Sequence, residues 1–345
     1  MSRPKLKVAF TDFWYGLDHE NNLLSSALRR RFQVEVSDKP DILFCSAFSN
    51  NWREFDCPRI LVLGENIEPD FELFDASLSF QPTSERNYYL PFFMFYPAYA
   101  SCFQERKLSA DAWKRKKRAA AIFTNGRCRF RNWFFHYLRE NGGADSGGKA
   151  FNNVGGPVKD KASFLKGYRY SMAFENTRWP GYTTEKLVEA YAFGTVPLYW
   201  GDPILREWFN RRSFFEIRSA TDAERVLGEI DKIEDDFEAY RSIYEQPLFK
   251  DNREPKELSQ DAIADFLESV IDKGLVRTRL GRISNYRAFV WQHRWRHSQW
   301  DYSLLPLIRF YRVFVLFFFL KDQAKQTLKK ILRWQPRIAA GSEES

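Results

Sequence analysis

An α/β fold with two parallel sheets in series is expected for this chain of 345 residues. Short runs of Val, Ile, Leu and Phe alternate with stretches of helical period, the grammar of βαβ units and parallel sheets. The alternation breaks once, at KRKKR (114–118), and then starts again. The length suits two domains, each able to bury its own core.

The runs LKVAF (6–10), FQVEV (32–36), DILFC (41–45) and RILVL (59–63) read as buried strands, most of them ending in polar or turn residues. Between the first two, NNLLSSALRRRF places Leu24, Ala27, Leu28 and Phe32 on one side of a helix. KRKKR reads as a solvated linker rather than as a patch for nucleic acid. After it come a strand, RAAAIFT (118–124), and a helix, RFRNWFFHYLREN (129–141). ENGGADSGGKAFNNVGGP (140–157) is Gly-rich and reads as loop. KDKASFLKGY then reads as a helix, YRYSMAFEN as a strand, TTEKLVEAYAFG as a helix and TVPLYWG as a strand. RSFFEIRS and ATDAERVLGEIDKI add one more strand and helix. SQDAIADFLESVIDKG (259–274) has helix-start residues at Ser259 and Asp261 and a stop at Gly274. There are no internal repeats, and neither G-x-G-x-x-G nor G-x-x-x-x-G-K-[ST] occurs.

Apolar residues make up 44% and aromatic residues 17% of the chain, which excludes disorder. Cys45, Cys57, Cys102 and Cys128 lie far apart, as neither a disulfide framework nor a zinc ligand set. The opening MSRPKLKVAFTDF reaches a strand at once without a signal-peptide pattern, so a cytosolic, reducing compartment is expected.

The net charge of +8 is uneven. From Val276 onward there are fourteen Lys/Arg and four Asp/Glu, leaving 39 basic and 41 acidic residues before it. The body is therefore slightly acidic, and the basic pI belongs to the tail. That tail holds WQHRWRHSQW, with Trp291, Trp295 and Trp300 among Arg294, Arg296, His293 and His297. LLPLIRFYRVFVLFFFLK follows, and its uncharged run is shorter than the roughly 20 apolar residues a bilayer span needs. Lys321, Lys325 and Lys329 then stand opposite Leu328 and Leu332. A basic helix with an aromatic face suits an interfacial membrane anchor. Packing of Phe314, Phe317 and Phe318 onto the body or into a homodimer is the alternative, and nucleic acid the third. His293 and His297 have no acidic or thiol partner nearby and read as part of the basic face.

The chemistry concentrates in FENTRWPGYTTEKLVEAYAFGTVPLYWGDP (174–203). Glu175 and Asn176 end a strand, Gly181 permits a turn, and Glu185 and Lys186 open a helix with Thr183 or Thr184 as cap. A helix start with a lysine suits a phosphate, and Glu185 can accept hydrogen bonds from sugar hydroxyls. Phosphate plus ribose is a nucleotide. Arg131, early in the 129–141 helix, is expected on the same side of the sheet, so that Arg131 and Lys186 share one diphosphate. Against this, Glu-Lys at a helix start is commonly solvated, and Tyr191, Phe193, Tyr199 and Trp200 read as core rather than as a ligand platform.

The same stretch resembles the signature of the α-1,3/4-fucosyltransferases, glycosyltransferase family 10, in its bacterial form. GENIEPDFELFD (64–75) resembles the family's N-domain motif, RFRNWFFHYL the helix with a diphosphate-binding arginine, and GGPVKDKASFLKGYRYSMAFEN the approach to the signature. The likeness covers roughly residues 5–250 and is strongest at 165–203. It implies a GT-B fold: two facing Rossmann-like domains with a deep cleft, here followed by a basic amphipathic tail. The expected divisions are an acceptor domain (1–112), a GDP-fucose domain (113–258), a helix returning to the first domain (259–285) and the tail (286–345).

By matching position, the resemblance implies that Arg131 and Lys186 neutralise the GDP phosphates, that Glu185 binds ribose, and that Asn176 and Tyr182 contact the donor. Glu65 is the implied general base, with Glu175 competing for that role. The implied reaction is inverting transfer of L-fucose from GDP-β-L-fucose to O3 of GlcNAc in a lactosamine-type glycan of lipopolysaccharide, of the Lewis-antigen kind. A GT-B transferase using another sugar nucleotide is the alternative. No cofactor is expected: the chain lacks a D-x-D triplet for a bridging cation, and the two cationic side chains take over its role. The expected partners are GDP-fucose, an oligosaccharide acceptor and the inner face of the cytoplasmic membrane, with no nucleic acid. Gly155-Gly156-Pro157-Val158 departs from the Gly-Tyr-Asn-Val of some relatives, where a tyrosine meets the nucleotide.

Overall fold

The computed structural model describes residues 3–273 and, beyond them, 287, 288, 290, 291, 320, 321 and 324. Its first sheet holds β1 (Lys5–Thr11), β2 (Gln33–Val36), β3 (Ile42–Cys45), β4 (Arg59–Val62), β5 (Ala76–Ser79) and β6 (Asn87–Tyr89), in the order β2-β1-β3-β4-β5-β6. The second holds β7 (Lys117–Ala121), β8 (Asp145–Ser146), β9 (Tyr168–Phe174), β10 (Val196–Trp200) and β11 (Phe215–Glu216), in the order β11-β10-β9-β7-β8. Every neighbouring pair in both sheets is parallel. The helices are α1 (Leu23–Leu28), α2 (Ala98–Ser101), α3 (Ala110–Lys114), α4 (Arg129–Glu140), α5 (Lys161–Lys166), α6 (Glu185–Ala192), α7 (Ala220–Ile233), α8 (Phe237–Tyr244) and α9 (Gln260–Asp272). These are two doubly wound α/β units, the GT-B arrangement.

Strand alternation explains why both faces of the first sheet are covered. Leu6, Val8 and Phe10 of β1, Ile42 and Phe44 of β3, and Ile60 and Val62 of β4 pack on α1 and α9. Their neighbours Ala9, Leu43, Cys45 and Leu61 face the other way, against Trp52, Leu73 and Phe74. Helix α1 is capped by Asn22, whose side chain accepts from the backbone of Leu24 and Ser25. Arg30 and Arg31 hold α9 by ion pairs to Asp261 and Asp265, both at 2.5 Å.

Three expectations change. KRKKR is a solvated linker only in part: Lys114, Arg115 and Lys117 are exposed, but α3 ends at Lys114 and β7 starts at Lys117. Between them the Lys116 ammonium donates to the carbonyls of Lys166 (2.5 Å), Tyr168 (3.1 Å) and Gly194 (2.9 Å), while Arg118 pairs with Asp231. A run of like charge is tolerated there because strand geometry sends consecutive side chains to different partners. The Gly-rich stretch 140–157 is not all loop, because Asp145–Ser146 pairs with β7 as the edge strand β8. The start of the tail is not free for a membrane either. Trp291 is 4% exposed, packs on Phe74 at 5.0 Å and donates its indole N–H to the Glu68 carbonyl at 2.9 Å. Arg287 bridges Asp70 and Glu72. An acidic loop after the GEN motif thus captures the first basic and aromatic residues of the tail. Arg294 to Trp300, His293, His297 and the apolar run with Phe314, Phe317 and Phe318 lie outside the described residues.

Trp291→Ala removes a side chain that fills the far face of the first sheet. It should lower unfolding free energy by roughly 3–5 kcal/mol in urea titrations. An unchanged midpoint would show that this contact adds nothing to the fold.

Candidate functional site

The direction of winding fixes where a ligand can enter the second sheet. From β7 the chain passes through α4 to β8 on one side, and from β9 it passes through α6 to β10 on the other. Right-handed crossovers running in opposite directions lie on opposite faces, which opens a crevice at the carboxyl ends of β7 and β9. The cores agree. Tyr170 and Phe174 of β9 pack with Phe134, Phe135 and Leu138 of α4. Ala173 and Tyr199 pack with Leu187, Val188 and Tyr191 of α6. Arg131 and Lys186 therefore come from opposite faces of the sheet, not from the same side as expected. They approach the same strand end instead, Arg131 through Asn176 and Lys186 through Glu175.

Beyond Phe174 the two residues that leave the sheet divide between the faces. Glu175 turns to α6. Its carboxylate accepts from the Thr184 backbone N–H (2.7 Å), the Thr184 hydroxyl (2.6 Å) and the Lys186 ammonium (3.1 Å). Asn176 turns to α4 and accepts from Arg131 Nη1 at 2.9 Å. Arg131 Nη2 holds both the carbonyl and the side-chain oxygen of Asn125, each at 2.8 Å, just past β7. The guanidinium is 1% exposed, lies over the Phe123 ring at 4.8 Å, and its Nε–H has no partner among the described residues. Thr184 is the N-cap residue of α6, but its hydroxyl serves Glu175 rather than the helix backbone.

Two glycines make the arrangement possible. A Cβ on Gly201 would stand 2.4 Å from Glu175 Cγ, so only glycine leaves the carboxylate room beside β10. Gly181 has φ +80°, and a Cβ there would meet the Phe80 carbonyl at 2.4 Å. Its turn is pinned from both domains: Asp202 accepts the Gly181 N–H at 2.9 Å, and Tyr89 donates to the Gly181 carbonyl at 3.0 Å. Tyr182, placed as a donor contact, is buried edge-on against Phe80 with centroids 4.7 Å apart. Tyr191, Tyr199 and Trp200 are core, as expected.

The charges at this point balance. Burial pushes the Glu175 carboxyl up, against the pull of Lys186 and the Thr184 bonds. Burial would push Glu185 up as well, but Lys186 and then Lys161 outweigh it and hold Glu185 below its usual range. For Lys186, burial works downward and the two carboxylates more than reverse it. The three ammonium hydrogens of Lys186 are taken by Glu175, Thr184 (2.8 Å) and Glu185 (3.2 Å). Burial lowers Arg131, with Glu175 among the groups that act in the other direction. Two cations thus flank two carboxylates across one strand end.

The first domain reaches this point through the GEN motif. Asn66 donates its amide to the Thr177 hydroxyl at 2.9 Å, directly after Glu175 and Asn176. Glu65 is half-buried, and its charge reaches Tyr182 and Tyr96, two phenols that also feel Glu185. Glu65, Glu175, Asn176, Tyr182, Glu185, Lys186 and Arg131 therefore belong to one cluster across the two domains. The sequence reading missed Asn66, Tyr96, Asn125, Thr177 and Asp202. Asn66, Thr177 and Asp202 stand inside quoted motifs and could have been found there, whereas Tyr96 and Asn125 carry no local signal. Among the described residues no group of three or more His, Cys, Asp or Glu is arranged for a metal ion.

Residues 8–99 match the family model for the alpha-(1,3)-fucosyltransferase FucT N-terminal domain, and residues 112–260 the C-terminal model of glycosyltransferase family 10 (fucosyltransferase). Together they cover well over half of the chain. The alpha-(1,3)-fucosyltransferase FucT of Helicobacter pylori is 28% identical over 292 residues, 72% of this chain and 61% of its own length. This chain therefore spans about three fifths of that relative. A putative fucosyltransferase of Acanthamoeba polyphaga mimivirus is 28% identical over 211 residues, 56% of this chain and 34% of its own. A crystal structure of an alpha1,3-fucosyltransferase with GDP-fucose shares the fold, with a TM-score of 0.67 and 24% identity over 80% of this chain and 93% of that one.

Lys186→Met strands the Glu175 carboxylate, which is 0% exposed. Breaking such a pair should cost about 3 kcal/mol at neutral pH. The remaining carboxyl, raised above its unfolded value of 4.5, binds its proton preferentially in the folded state. Stability then falls as pH rises through the window above 4.5. Urea titrations of the variant should therefore show a deficit that is large at pH 8 and shrinks towards pH 5. A deficit independent of pH would mean that Glu175 is not the group left uncompensated.

Proposed function

Since the chain belongs to glycosyltransferase family 10, the fucosyltransferases, we propose that it moves L-fucose from GDP-β-L-fucose to a hydroxyl of an oligosaccharide, with inversion at the anomeric carbon. The acceptor in this reading is O3 of GlcNAc in a lactosamine-type glycan of lipopolysaccharide. The observation that carries it is the Asn66–Thr177 contact, because it sets the GEN turn of one domain against the nucleotide-type strand end of the other.

Each side chain then has a task. The acceptor oxygen attacks the anomeric carbon, its proton passes to Glu65, and the bond to the GDP oxygen breaks. Arg131 and Lys186 offset the charge gathering on the diphosphate. The phosphate must draw one Lys186 hydrogen from its present partners, and Glu185, at 3.2 Å, is the longest contact. Glu185, released, is placed to accept from ribose. The assignment of the base to Glu65 rather than Glu175 rests on the burial of Glu175. Glu175 already receives three donors and has no exposed surface, so its work is to hold Thr184 and Lys186. A base must meet the acceptor proton within hydrogen-bond reach.

The test combines a donor screen with one substitution. GDP-fucose, and neither GDP-mannose nor UDP-sugars, should yield product on lactosamine. Glu65→Gln should lower turnover roughly 10²–10⁴-fold while GDP affinity stays within about twofold. Turnover of another sugar nucleotide would replace the donor, and a collapse of GDP affinity would remove Glu65 from the base role.

The same reading places the protein at the inner face of the cytoplasmic membrane, held by the tail beyond Trp291. Support comes from the charge of that tail and its Phe-rich run. Basic residues near anionic lipid contribute about 1 kcal/mol each. Full-length protein should float with vesicles containing anionic lipid in a sucrose gradient, and protein ending at residue 300 should not. Equal recovery of both forms at the bottom would remove the anchor.

A further inference from the structure

We propose that Asn66 is a positioning residue that sets Glu65 for the reaction by its hydrogen bond across the domains to Thr177. The inference rests on the reading of Glu65 as the base. Its own ground is the way the structure holds the turn. Leu63 donates to the Leu78 carbonyl at 2.9 Å and keeps the chain in the sheet to that point. At Gly64 a Cβ would lie 2.5 Å from the Phe92 ring, so the ring presses directly on the backbone. Ile67 N–H then donates to the Glu65 carbonyl at 2.8 Å, closing a three-residue turn with Asn66 at its apex. The approach to Glu65 is therefore set by the first domain alone. Its angle towards the second domain is set by the apex side chain, whose amide meets Thr177 at 2.9 Å.

Thr177 is itself well anchored. Its neighbour Asn176 is held by Arg131, and Arg131 is held by Asn125. An uninterrupted series of bonds thus runs from the diphosphate arginine to the turn carrying the carboxylate. The magnitudes separate a positioning role from a merely structural one. A single half-buried hydrogen bond contributes little to stability. Misplacing a reacting group by about 1 Å can cost roughly 100-fold in rate. Removing the bond should therefore reduce kcat far more than it reduces stability.

The experiment is a double-mutant cycle on the full chain with GDP-fucose and lactosamine. Asn66→Ala and Thr177→Val should each lower kcat about 10- to 100-fold. GDP affinity by calorimetry should stay within about twofold and the urea midpoint should barely move. Thr177→Ser keeps the hydroxyl and should retain most of the turnover. In the Glu65→Gln background Asn66→Ala should add almost nothing, because there is no base left to position. Near-normal kcat in Asn66→Ala, with Glu65→Gln strongly impaired, overturns the positioning role and leaves the base standing. Normal turnover in Glu65→Gln overturns the base and this inference with it. Full additivity of the two losses also overturns it.

Discussion

The second domain is organised around one buried carboxylate. Glu175 leaves β9 without exposed surface and accepts three hydrogen bonds, from the Thr184 backbone, its hydroxyl and Lys186. A buried carboxylate without such partners would cost several kcal/mol. With them, it ties the end of a strand to the start of the helix that follows after the Gly181 turn. Position 201 is glycine because the methylene stem of Glu175 occupies the space a Cβ would take. Glu185 and Lys186 inherit their positions from this tie.

Reversal of winding supplies the opposite wall. Helix α4 lies on the other face of the sheet, so Arg131 approaches the same strand end from behind. It grips Asn125 and Asn176, the residues just past β7 and β9, which flank the crevice between the two directions of winding. Two cations reach one strand end without sharing a helix face: Lys186 is paired with Glu175 and Glu185, and Arg131 is held by the amide and carbonyl oxygens of Asn125 and Asn176.

The two domains meet through few polar contacts close to this point. Asn66 with Thr177 and Tyr89 with the Gly181 carbonyl join the first sheet to the signature turn. The acidic loop after the GEN motif is held from outside by Arg287 and Trp291. The first residues of the tail thus complete the first domain.

From sequence alone followed the two parallel sheets, the strand and helix types around Glu175 and Lys186, and the family likeness of the GEN and FEN motifs. These are local properties. Apolar period sets element type, and a strand end followed by a helix start is visible as residues in order. Tertiary structure decided what depends on direction and distance. It placed α4 and α6 on opposite faces, because sheet order is not written in any one segment. It made Lys116 an internal donor to three carbonyls and Trp291 a core residue, because their partners lie some 50 to 220 positions away. It also separated the two candidate glutamates, burying Glu175 under donors from the start of α6 while Glu65 stays half-buried on the first domain. Burial and hydrogen-bond supply are set by what packs around a carboxylate, and that is a property of the folded chain.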